Sequence, residues 1–213
     1  MKKFTLFILF LAVLMITSNV FAIRIGSNYI NPSTTLPHAQ NSYNAFTVDQ
    51  IADGVISDTR PYNGFGTWNI SSGIITLDLV GVFNLNSFLL WNDINVDKEG
   101  INEFRLDFYN DSNSLINTAF SSTYAAPLGQ LEEEIYLFDE LILGVSRVDI
   151  VVLNCHSETY NQIEIREVAF EGELVPATAP VPEPSTAFLF FIGISGFIWF
   201  KQKKLKVKNN SPL

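Results

Sequence analysis

The chain reads as an all-β protein, an antiparallel β-sandwich of jelly-roll type flanked by two apolar terminal segments. Three observations point there. Apolar residues recur with a period of two in several short windows, clusters of Gly, Asn, Asp, Ser and Pro separate those windows, and no window between the two ends sustains a 3.6-residue apolar period over helical length. A period of two gives a strand one buried face and one wet face. Many short strands joined by polar loops make a sandwich rather than a bundle or a parallel sheet.

Residues 1–22 come first. Lys2 and Lys3, the apolar run Phe4 to Ile16 and the small-residue end Val20-Phe21-Ala22 have the layout of a secretory signal peptide, with cleavage expected after Ala22. Residues 23–44, rich in Ser, Thr, Asn and Pro, read as an extended lead-in. The sandwich is expected over residues 45–174. Its strands are marked by Ile75, Leu77 and Leu79, by Phe104, Leu106 and Phe108 alternating with Glu103, Arg105 and Asp107, by Ile135 and Leu137, and by Val148, Ile150 and Val152. Ser87 to Trp91 suits a strand covered on both faces, and Trp68 and Trp91 are expected to support the core. Turns are expected at 69–73, 81–86, 92–102, 110–114 and 125–129. Glu132 to Glu134 reads as a solvated edge that discourages strand pairing with other molecules. In the last strand the apolar phase moves from Ile163 and Ile165 to Val168 and Phe170. The slip at Arg166-Glu167 predicts a bulge that re-aims Glu167.

Residues 175–186 form a linker ending in Val181-Pro182-Glu183-Pro184-Ser185-Thr186. The two prolines stop a helix from extending upstream. Residues 187–200 carry no charge and are mostly Phe, Ile, Leu and Gly; as a helix they reach about 21 Å. That is short for a hydrocarbon core of about 30 Å, yet Ser185 and Thr186 can extend the helix and the lysines beyond it can snorkel. It reads as a transmembrane helix. Lys201, Lys203, Lys204, Lys206 and Lys208 in residues 201–213 form a basic cytoplasmic tail, which places everything before Val181 outside. Pro-Glu-Pro, short helix and basic end, in that order, resemble the sorting tail of PEP-CTERM proteins of Gram-negative bacteria that make extracellular polysaccharide. The resemblance implies that an exosortase-type membrane protease recognises Pro182, Glu183 and Pro184 and removes the helix, passing the protein from the inner membrane to the cell surface or the extracellular matrix.

From Ile23 to Pro180 there are 6 Lys or Arg against 21 Asp or Glu, a formal charge of −15. Such a surface repels phosphate backbones, which argues against nucleic acid as a partner, and suits divalent cations. Cys155 is the single cysteine, so no disulfide forms within the chain. Enzyme signatures are missing: the histidines are His38 and His156, and there is no His-Glu-x-x-His and no phosphate-binding glycine loop. A non-enzymatic protein is expected.

Within the sandwich region, Ile-Ala-Asp-Gly at 51–54, Trp68, Ile-Thr-Leu-Asp-Leu at 75–79, the strand 148–153 and Ile-Arg-Glu-Val-Ala-Phe-Glu-Gly at 165–172 resemble, in that order, the discoidin or F5/8 type C domains, the galactose-binding-like jelly rolls. The resemblance implies a structural Ca2+ held by the Asp53 and Asp58 side chains, the Gln50 and Val55 carbonyls, and Glu167. It also implies carbohydrate binding by loops at one end of the sandwich, where aromatic faces pack on sugar rings and polar groups fix hydroxyls. The candidates are His156, Tyr160, Asn154, Asn92, Asp93, Tyr62 and Phe65. The expected function is an exported polysaccharide-binding surface or matrix protein; the alternative is a structural matrix component whose jelly roll binds no sugar.

Overall fold

The computed structural model describes residues 22–42, 44–57, 59, 62–92, 100–123, 132–156 and 161–176. The signal-peptide run, Asp58, Asp93, Tyr160, the motif Pro182-Glu183-Pro184 and the apolar segment 187–200 with its lysine tail lie outside the described residues. Among the described residues no helix is long and apolar enough to cross a membrane. The chain divides into two compact units, Met1–Val175 and Pro176–Leu213, and every strand belongs to the first.

The described residues contain eight strands: β1 (Ile23–Ile25), β2 (Ile30–Thr34), β3 (Phe65–Gly66), β4 (Gly73–Asn92), β5 (Ile101–Tyr109), β6 (Leu115–Ser122), β7 (Glu134–Cys155) and β8 (Glu164–Leu174), with one 3-10 turn at Val48–Ala52. Every pairing is antiparallel. The order is β1-β8-β4-β7-β5-β6, with β2 also on β4 and β3 on β8.

Two long strands make the sheet into a sandwich. The first part of β4, Gly73 to Asp78, pairs with the second part of β7, whereas Phe83 to Asn92 pairs with β8 and with the first part of β7. Register shifts between Asp78 and Ser87 mark the crossing. Each long strand therefore serves both layers. Across the interior, rings meet between segments that share no backbone hydrogen bonds: Phe88 and Phe104 at 5.6 Å, Phe104 and Tyr136 at 5.2 Å, Phe108 and Phe138 at 5.2 Å. Edge-on contacts of this kind add to what burial alone supplies. Ile75, Leu77, Phe104, Leu106, Phe108, Val148, Ile150 and Val152 are buried, as their alternation requires.

Five expectations are corrected. The lead-in belongs to the sheet, because β1 pairs with β8 and β2 pairs with β4; in β2 Ser33 is exposed, while Thr34 donates to Ile74 O at 2.7 Å. The turn expected at 81–86 is the bend inside β4 rather than a break, since Phe83 and Leu85 point inward and keep the strand anchored. Ile135 and Leu137 face solvent, at 54% and 77% exposure, while Tyr136 and Phe138 pack against the core; in a run where every residue is apolar, the larger rings took the inside. Trp68 is 55% exposed, whereas Trp91, at 6%, is buried with Leu89 and Ala169. At the edge, Glu133 is not merely solvated but pairs with Arg24 at 2.9 Å, whose guanidinium lies 5.6 Å from the Trp91 ring.

The last strand carries the bulge. Trp91 pairs with Glu167 and Asn92 with Ile165, leaving Arg166 as the extra residue. An added residue lets consecutive side chains turn inward, and Arg166 and Glu167 are both buried.

Candidate functional site

Two places draw polar groups together. The first lies where the 3-10 turn meets β8. The turn ends at Asp53, and Gly54 takes φ +80, the left-handed region that glycine reaches without strain. Gln50 is locked by a reciprocal amide pair with Asn44, at 3.0 and 3.1 Å. Asp53 Oδ1 accepts from Val55 N at 2.8 Å, and the Gln50 carbonyl, the Asp53 carboxylate and the Val55 carbonyl converge at one point, where the Asn63 side-chain nitrogen sits. Its distances are 3.3 Å to Gln50 O, 2.9 and 3.0 Å to the two Asp53 oxygens and 2.8 Å to Val55 O. An amide nitrogen has two hydrogens for these four acceptors, and Val55 N supplies a third at 2.8 Å from an Asp53 oxygen. Oxygen crowding of that kind suits a hard cation better than an amide.

Beneath the turn, Glu167 accepts a hydrogen bond from Gly54 N at 3.1 Å through Oε1, while its Oε2 is buried with no hydrogen-bond partner among the described residues. Loss of water pushes its pKa up to about 8; the Gly54 N–H works against that rise and the nearby Asp53 charge adds to it. A buried oxygen without a donor is costly and marks a place where a cation would be welcome. Among the described residues no three His, Cys, Asp or Glu side chains converge as a metal site, so an ion here would have to lean on backbone carbonyls.

The second place is the end of the sandwich where β4, β5, β6 and β7 terminate. Asn92 is buried and brackets the start of β5: its Oδ1 accepts from Ile101 N at 3.0 Å and its Nδ2 donates to Ile101 O at 2.7 Å. The same nitrogen lies 3.2 Å from Thr123 Oγ1, which in turn lies 2.7 Å from His156 Nε2. Thr123 gives its hydroxyl hydrogen to Ile101 O. It can therefore only accept from His156, which puts the ring proton on Nε2 and leaves Nδ1 as an acceptor. Burial lowers the His156 pKa and keeps the ring neutral. Trp68 projects from the turn between β3 and β4, which is closed by Thr67 Oγ1 to Ile70 O at 2.8 Å. Cys155 Sγ to Ser71 O, 3.4 Å, ties that turn to the end of β7 beside His156.

Sequence reasoning placed Gln50, Asp53 and Val55 together, and the structure brings those three to one point, with Glu167 one hydrogen bond away. It did not find Asn63, whose only sequence signal is its place before Gly64 in a Gly-rich loop. For the sugar candidates the outcome is divided. His156 is at the loop end, and Asn92 acts there as a buried bracket with no free polar atom for a ligand. Asn154 donates to Glu103 at 2.8 Å. Phe65 is a correction: β3 places its ring in the core at 2% exposure, so no face is available to a sugar. Tyr62 lies 5.2 Å from the Arg166 guanidinium on the cation side. Trp68, expected inside, supplies the exposed aromatic face.

No protein-family model and no curated protein matches the chain. Solved structures do, at the level of the fold. The family 32 carbohydrate-binding module of Clostridium perfringens NanJ, in complex with galactose, aligns at TM-score 0.54 and 13% identity over 71% of this chain and 99% of its own. The F5/8 type C domain of a Bacteroides fragilis protein aligns at TM-score 0.56 and 11% identity, covering 74% and 99%. A Clostridium perfringens family 32 module in complex with GalNAc-β-1,3-galactose aligns at 0.53 and 15%, covering 70% and 99%. The chain thus has the galactose-binding-like fold of these modules.

Proposed function

We propose that the chain is an exported, non-enzymatic, carbohydrate-binding protein of the bacterial cell surface or extracellular matrix. The observation that carries this reading is an exposed Trp68 on the same end of the sandwich as a neutral His156 held through Thr123 and Asn92. Trp68 offers a flat face to the C–H side of a sugar ring, and His156 Nδ1 accepts from a hydroxyl. Asp93 and Tyr160 belong to the same reading. Galactose and N-acetylgalactosamine, the sugars held by similar modules, are the first probes. On a glycan array the wild type binds, and Trp68→Ala and His156→Ala do not. A silent array with folded protein would hand the sandwich to a purely structural matrix role.

Calcium belongs to the same proposal. Asp53 and the Gln50 and Val55 carbonyls would hold the ion, with the Glu167 carboxylate and Asp58 as further ligands. The bound charge would compensate Asp53 and fasten the 3-10 turn to β8. At 100 times its dissociation constant an ion stabilises by about 2.7 kcal/mol, which for a domain of this size raises the melting midpoint by roughly 5–11 °C. An unchanged midpoint with and without chelator removes the metal. Export and exosortase processing rest on the order of Pro182-Glu183-Pro184, the apolar run and the lysines. A mature product that retains Lys201 to Lys208 in its mass spectrum would end that part.

A further inference from the structure

We propose that Asn63 is a built-in competitor for the cation site. Its side-chain amide fills the oxygen cradle when metal is absent and has to leave before a divalent ion can enter. The proposal rests on the calcium reading above and goes beyond it by giving the site an internal occupant. The amide nitrogen stands at 2.8 to 3.3 Å from Gln50 O, both Asp53 oxygens and Val55 O. A calcium ion would take the same oxygens at about 2.3 to 2.6 Å. The two therefore claim one point and exclude each other.

The surrounding structure lets the side chain move without the loop. Arg166, itself buried, donates to Asn63 O at 3.1 Å, and Asn44 donates to Tyr62 O. Gly64, at φ +133, runs so close to β8 that a Cβ there would stand 2.4 Å from Ile165 O. Asn63 thus has a clamped backbone and a half-buried side chain, held in place only by the cradle contacts of its amide, beside an exposed Asp53. Displacement needs a rotation about side-chain bonds, not a loop movement. The amide donates to the Asp53 carboxylate and to the Gln50 and Val55 carbonyls, with Asp53 Oδ1 also accepting from Val55 N, so it helps to hold the metal-free turn together. The same contacts weaken ion binding, because the ion must first break them.

Calorimetric titration of the purified protein with CaCl2, and melting in chelator, test this on wild type and Asn63→Ala. The variant is expected to bind calcium about tenfold more tightly and to melt at a lower midpoint in chelator. Asn63→Ser serves in the same assays if the alanine variant fails to fold. Side-chain NH2 resonances of Asn63, protected in the metal-free protein, should lose protection as calcium is added. Weaker binding by Asn63→Ala would make Asn63 a ligand and overturn the proposal, and so would equal affinity or resonances that stay protected. If wild type and both variants bind no calcium, the calcium reading itself falls, an outcome distinct from binding without competition.

Discussion

In the cradle, the three oxygen-bearing residues lie within six consecutive positions, Gln50 to Val55, and a single long-range partner, Glu167, comes up from β8. At the loop end, Asn92, Thr123 and His156 come from three separate segments and meet through side-chain hydrogen bonds, and the turn that carries Trp68 is tied to the end of β7 by Cys155 Sγ to Ser71 O. The difference teaches where each kind of site stores its information. A cation can be caged by backbone carbonyls, which one tight turn aims regardless of most side chains. A sugar face needs particular side chains at set positions, and only a completed sandwich brings those together.

The largest expected effect falls on the cradle and comes from pH. In chelator, the folded chain keeps a proton on Glu167 up to about pH 8, while the unfolded chain releases it near 4.5. Because the native state binds the extra proton, its stability is greatest below the unfolded value and falls as pH rises towards 8, with an upper limit on the order of 5 kcal/mol. Urea midpoints at pH 5 and pH 8 read it. Glu167→Gln should flatten the trend, and a rise of stability with pH in the metal-free wild type would refute the assignment.

Next comes the bracket at the loop end. Asn92→Ala strips two backbone groups of Ile101 and the Thr123 hydroxyl of a buried partner, a cost of about 2–3 kcal/mol. It should also weaken sugar binding by freeing His156 from its fixed orientation. A variant that melts like wild type would show the end to be held by something else. Trp68→Ala probes the same end without touching the fold. Sugar affinity should fall at least tenfold while stability stays within about 0.5 kcal/mol; a large drop in melting midpoint would mean the ring packs rather than binds. The smallest effect concerns Cys155, whose thiol burial pushes up to about 12. Iodoacetamide at pH 8 should label it slowly until the chain is unfolded, and fast labelling of the native protein would show that this corner opens.

Much of the fold was legible in the sequence because alternation reports one-sided burial directly. Val148 and Ile150 alternate with Arg147 and Asp149, and that phase, continued by Val152, faces inward. Ile135 to Phe138 offered two apolar phases, and local pattern had no means of choosing; Tyr136 and Phe138 won by stacking on Phe104 and Phe108. Trp68 illustrates the opposite error. Its size suggested burial, but the turn that Thr67 and Ile70 close points it outward. Asn63 was invisible because an asparagine before a glycine reads as turn chemistry, and its importance arises only from what stands around it.

By itself the sequence determined an all-β body with an acidic surface, the period-two strands that build it, the tight turn at Asp53-Gly54 and the slip at Arg166-Glu167. These are local properties: hydrophobic alternation, charge count and backbone permissiveness act within a few residues. The tertiary structure alone decided that β4 and β7 cross between layers, that Asn63 enters the cradle, and that Trp68 shares an end with His156. Those outcomes depend on the closed sandwich: the strand crossings and the shared end join residues tens of positions apart, and the Asn63 backbone is held by Arg166 from β8.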